Sequence, residues 1–200
     1  ERLSDMMHAM LSELLDAKCR QIESETLRLS KEILRKEHFI DLVELDENFH
    51  FSLYRREEYT FEELSSLFAN LGADDLSRRI GKQGVQMLQE YFQASSITGL
   101  KKLFKRQKNQ ATLFDDKRFD LYKRIEFSQL SKGEKQIFIL SLYWAIIKTS
   151  GCDIPFVIDT PFARIDAEHR EQITKKFFLD ISGQVIILST DEEITSTYYS

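Results

Sequence analysis

Two hundred residues, 42% of them hydrophobic and 12% aromatic, supply enough apolar material for one or two packed domains. A formal net charge of -5 provides no overall positive field, so any contact with nucleic acid has to come from local basic patches. No apolar run approaches the roughly 20 residues that span a bilayer, no secretory leader pattern opens the chain, and Cys19 and Cys152 lack zinc-site spacing, so the expectation is a cytoplasmic protein with reduced thiols and no membrane partner.

In chain order, Leu3, Met7, Met10 and Leu14, then Ile22, Thr26, Leu29 and Ile33, recur every three or four positions with no Gly or Pro before about Lys36, which predicts one long helix. The repeat slips phase between Leu14 and Ile22. A helix lying on a domain, or the base of a coiled coil entering one, therefore fits better than a strict two-stranded coiled coil. Alternation over 39–45 and 48–54, around Asp46 and Glu47, predicts a β-hairpin. Helical spacing returns from about Thr60 to Phe119, broken at Gly72, Gly81, Gly84 and Gly99. Within it Lys101, Lys102, Lys105, Arg106 and Lys108 form a basic run, with Phe104 available for packing. Such a run suits the phosphate backbone of DNA, although a solvated helix face is its commoner fate.

From Glu126 onward the pattern reads as a helix over about 133–149, an apolar strand 155–159, a helix over about 166–179, an apolar strand 184–189 and a final helix from about Asp191. That alternation predicts an α/β layer with parallel strands covered on both faces. The expected division is a long helix and hairpin over 1–58, a helical insert over 59–120 and an α/β lobe over 121–200.

Two strings carry chemistry. Leu130-Ser131-Lys132-Gly133-Glu134-Lys135-Gln136 stands where a turn opens a helix, and a helix N-terminus offers free N–H groups and partial positive charge to a phosphate. Ser131 and Glu134 also have capping-box spacing, and the two roles are compatible. Pro155-Phe156-Val157-Ile158-Asp159 is an apolar strand ending in a carboxylate that can hold Mg²⁺.

The first string resembles the LSxGExQ signature of ABC ATPases and the second their Walker B strand. Arg164-Ile165-Asp166 stands where those proteins carry the D-loop, and Ser189-Thr190-Asp191 closes the last strand. The resemblance implies the C-terminal half of an SMC/RecF-like ABC ATPase head with a long N-terminal helix, a β-hairpin and a helical insert. It implies ATP and Mg²⁺ as ligands, with Ser131, Lys132, Gly133, Glu134, Gln136, Arg164 and Thr190 toward the nucleotide, Asp159 toward the metal, and Asp159, Thr160, Asp166, Asp191 and Glu192 around the chemistry. No GxxxxGK[ST] occurs in the chain. The Walker A loop is thus expected from the other half of the head, and the absence of Met at the start fits a chain taken from a longer one. Because the signature of one such head faces nucleotide held by another, a homodimer closing on ATP is expected.

Residues from about 130 to 194, in LSKGEKQ, FVIDTPFARIDAEHRE and QVIILSTDEEI, closely resemble the DndD family, SMC-like ATPases of bacterial DNA phosphorothioation, and 11–54 do so more weakly. That family implies DNA and other phosphorothioation proteins as partners. Thr160 stands where most ABC enzymes have the Glu that orients water, and Thr190 where they have a His. A threonine hydroxyl is too weak a base at neutral pH, so slow hydrolysis, or a base recruited from Asp166, Asp191 or Glu192, is expected. The rival readings are a nucleotide-gated scaffold with negligible turnover and an SMC-like ATPase of DNA repair or phage defence.

Overall fold

The computed structural model describes residues 2–34, 39–46, 48–107, 117–162, 165, 170, 171 and 173–190. The protein is mixed α/β, dominated by helices with small sheets, and divides into two compact units. Among the described residues no helix is long and apolar enough to cross a membrane.

The first unit comprises Glu1–Phe39, Leu45–His50 and Phe127–Ser200. Helix α1, Arg2–Leu34, is one element of 33 residues. Its first half stands in solvent with Leu3, Met7, Met10 and Leu14 exposed, whereas Cys19, Thr26, Leu29, Ser30 and Ile33 of the second half are buried. Helix α5, Lys132–Ser150, runs antiparallel along that half. Lys18 Nζ donates to the Thr149 carbonyl at 2.7 Å, and the Arg28 guanidinium lies 5.2 Å from the Trp144 ring centroid. Thr26 and Ser30 on α1, and Ser141 and Ala145 on α5, are each one turn apart and buried, so short side chains let the two backbones approach.

Strands β4, Phe156–Asp159, and β5, Val185–Leu188, pair in parallel with Asp159 opposite Leu188. Phe156, Ile158, Val185 and Ile187 pack on a core of Leu29, Ile33, Ile137, Leu140, Phe177 and Phe178. The opposite face is bare, with Val157 57%, Ile186 41% and Leu188 52% exposed. Covering on both faces was expected from the uncharged text; alternation within a two-stranded sheet packed from one side gives covering on one face only. The expected helix over 166–179 falls partly outside the described residues. Its described end is a π-helical turn, Thr174–Phe178, leading into a short α6, Leu179–Ile181. The final helix expected from Asp191 lies outside the described residues.

The second unit comprises Ile40–Glu44 and Phe51–Glu126. Strands β1, Leu42–Leu45, β2, Phe51–Thr60, and β3, Arg118–Ile125, form a sheet in that order, with β2 and β3 antiparallel from Leu53 opposite Ile125 to Thr60 opposite Arg118. The expected hairpin is thus the edge of a larger sheet. Strands β2 and β3 run across the expected boundaries at 58 and 120, because pairing between them closes the insert onto its own sheet.

Helices α2, Phe61–Asn70, α3, Ala73–Tyr91, and α4, Ile97–Gln107, complete the unit. A reciprocal cap starts α2: Thr60 Oγ1 accepts from the Glu63 N–H while the Glu63 carboxylate accepts from the Thr60 N–H at 2.7 Å. Gly81, at φ 76°, breaks α3 in two, and the Glu44 carboxylate accepts from the Lys82 N–H at 2.8 Å to cap the second part. A Cβ at Gly81 would sit 3.3 Å from Glu44 Oε1 and 3.4 Å from Leu42 Cδ2, so glycine answers both the left-handed backbone and the crowding. Phe61, Phe68, Phe92 and Phe104 gather in the core, with Phe68 and Phe104 stacked at 4.6 Å.

Candidate functional site

The signature-like turn sits at a true helix start. After a 3₁₀ turn, Phe127–Gln129, and the buried Leu130, Ser131 adopts an extended conformation and caps α5. Its Oγ accepts from the Glu134 N–H at 3.2 Å, and Glu134 Oε2 accepts from the Ser131 N–H at 2.8 Å. Glu134 is buried and turned back on the cap. Ser131 and Lys132 stay exposed and Gly133 half-buried. Because the Ser131 oxygen acts as acceptor in the cap, its proton remains free for donation.

Asp159 is exposed at the carboxyl end of β4. Thr160 follows at φ 46°, a left-handed backbone rare for a β-branched residue, and its N–H donates to the Leu188 carbonyl at 2.7 Å. Register places the end of β5, and then Ser189 and the exposed Thr190, beside this turn. Gln136 joins the two motifs: its side-chain amide donates to the Pro161 carbonyl and lies 3.5 Å from that of Thr160.

Between them lies a cleft of about 530 Å³, lined among others by Phe127, Lys132, Lys135, Gln136, Tyr143 and Asp159. Lys135 Nζ donates to the Ser128 carbonyl at 3.0 Å and stands 5.8 Å from the Phe127 ring centroid, so Lys132 is the less engaged cation of the two. A helix N-terminus and a lysine on one side and a carboxylate on the other can receive a phosphate and a divalent cation together. Among the described residues no three His, Cys, Asp or Glu gather as a cation site.

Ser131, Lys132, Gly133, Glu134, Gln136, Asp159 and Thr160 are thus brought into one region, with Thr190 at the adjoining strand end. Arg164, Asp166, Asp191, Glu192 and Lys108 lie outside the described residues. Sequence reasoning missed Phe127, Lys135 and Tyr143. Tyr143 had a signal, since it follows Gln136 by two helical turns and shares its face.

The basic run lies on α4 of the second unit. Lys101 Nζ donates to the Leu71 carbonyl at 2.5 Å and so ties α4 to the end of α2. Phe104, expected to be available for packing on nucleic acid, is 2% exposed in the aromatic core, because it follows the buried Leu100 by four residues on the inner face. Lys102, Lys105 and Arg106 are exposed.

Comparison with protein families and with curated proteins finds no match to this chain.

Proposed function

We propose that the chain supplies the signature and Walker B half of an ATP-binding head of the ABC type, acting in the cytoplasm as an ATP-driven clamp subunit of a DNA sulfur-modification system. One observation carries the reading: Lys132, the residue that follows the Ser131 cap, and the strand-end carboxylate of Asp159 line one cleft, and Gln136 joins the two motifs. When bound, Mg²⁺ would offset charge on the triphosphate and polarise it for attack by water. Asp159 would hold that ion. Ser131, Gly133 and the N–H groups opening α5 would bind a γ-phosphate presented by a second head, with Lys132 adding charge.

Closure is then driven only by contacts that exist in the paired state, and Ser131 with Gly133 supplies them. Thr160 provides no general base, so turnover is slow, with Asp166, Asp191 or Glu192 as alternative bases.

The test uses the chain together with the half that carries Walker A. ATP-dependent pairing, read by sedimentation, is expected to be lost in Ser131→Arg, and phosphate release is expected to fall at least about 100-fold in Asp159→Asn. Undiminished pairing in the first variant sinks the proposal. The occupation of position 160 by threonine favours one second reading, a nucleotide-gated scaffold with negligible hydrolysis. Under it, phosphate release is near zero in the parent and unchanged by Asp159→Asn, while pairing still needs Ser131.

A further inference from the structure

Helix α4 divides its residues sharply. Leu100 and Phe104 are buried, Phe104 stacked on Phe68, and Lys101 is engaged by the Leu71 carbonyl. At the start of the helix the Gly99 N–H donates to Ser96 Oγ at 3.1 Å. The helix is therefore held at its start, along its inner face and through Lys101.

The outer face carries Lys102, Lys105 and Arg106. Four of the 11 residues of α4 are Lys or Arg and none is acidic. Lys102 lies three residues before Lys105 and four before Arg106, so all three share one face and repel one another. None of the three meets a carboxylate among the described residues. Beside them opens a groove of about 460 Å³ whose walls include Gln93, Ser95, Gly99, Lys102 and Arg106. Like charges gathered on a held helix with no counter-charge among the described residues, next to hydroxyl and amide groups, match a polymer of regularly spaced phosphates. An acidic protein fits less well. Its stable docking calls for an aromatic anchor, and Phe92, which lines the groove, is already packed on Phe104 and Phe119.

We propose that the outer face of α4, with Lys102 and Arg106 on the groove edged by Gln93 and Ser95 and Lys105 on the same helix face, binds the phosphate backbone of duplex DNA without reading its sequence. This site shares no residue with the cleft at Ser131 and Asp159, so either can fail without the other.

The test is fluorescence anisotropy of a short labelled DNA duplex with the full chain, titrated between about 50 and 200 mM salt. The parent is expected to bind with steep salt dependence and with equal affinity for unrelated sequences. Replacing Lys102→Glu, Lys105→Glu and Arg106→Glu together is expected to weaken binding at least tenfold. It should also flatten the log–log salt slope by roughly 2–3, at about 0.9 for each phosphate that is no longer neutralised. Phe68→Leu, which removes the ring stacked on Phe104, serves as the control for damage to folding: it is expected to lower the melting temperature and leave the slope unchanged. The proposal is overturned by a parent that does not bind the duplex. It is equally overturned by a triple variant that keeps its circular dichroism spectrum and binds with unaltered affinity and slope, or by a parent that prefers polyglutamate to DNA.

Discussion

Ser131 holds two roles that substitution can separate. Ser131→Ala removes the acceptor for the Glu134 N–H and is expected to cost about 1 kcal/mol of unfolding free energy, measured by urea titration. Ser131→Asp keeps an N-cap acceptor and is expected to hold stability near the parent value. The same substitution sets a carboxylate where a γ-phosphate is proposed to sit, so nucleotide-driven pairing should be lost with folding intact. Undiminished nucleotide-driven pairing in Ser131→Asp would reduce Ser131 to a cap. Thr160 invites the reverse experiment. A β-branched residue at φ 46° carries about 1–2 kcal/mol of backbone strain, part of which glycine returns as chain entropy. Thr160→Gly is therefore expected to be neutral to about 1 kcal/mol more stable by urea titration, and a clear destabilisation would show that the side chain's contacts outweigh the strain.

At the scale of elements, the start of α2 depends on an ionised Glu63. The Thr60 N–H and hydroxyl, both directed at its carboxylate, hold it below its ordinary value of 4.5. A folded-state value below the unfolded one stabilises the fold above the unfolded value and loses that contribution as pH falls through the folded one. The difference in urea midpoint between the parent and Glu63→Gln is thus expected to be widest near neutrality and to close as pH falls below 4.5; a difference independent of pH would exclude the carboxylate as its source.

The long helix, α5, β4 and β5 were legible because each pattern is local: helical spacing from Leu3 to Ile33 with no Gly or Pro between, a capping box at Ser131 and Glu134, and runs of β-branched residues. Strand β3 was not. Arg118, Asp120, Lys123 and Arg124 break up its apolar text, and its partner β2 lies some 60 positions earlier, so what makes it a strand is non-local. The π turn at Thr174 and the bare face at Val157 also depend on neighbours supplied only by folding. The site divides in the same way. Its two motifs were readable as strings, whereas Phe127, Lys135 and Tyr143 join them only once α5 lies along β4, and Phe104 was misplaced because a charged neighbourhood concealed a buried position.

For the whole molecule, the uncovered face of Val157, Ile186 and Leu188 is unusual for a soluble surface, and Ile139, Tyr143 and Ile146 of α5 are also exposed in the same unit. The isolated chain is expected to self-associate with rising concentration in sedimentation velocity. Threonine at 157, 186 and 188 together should shift it toward monomer while leaving β propensity intact. An unchanged distribution of sizes would assign association elsewhere.

Gly81 has a consequence for how this architecture tolerates change. Since α3 is two rods joined at a left-handed residue, the phase of Leu76 and Ile80 is set independently of that of Val85 and Leu88. A residue gained or lost ahead of the joint would turn only the first rod, and the aromatic centre beyond it would keep its registration.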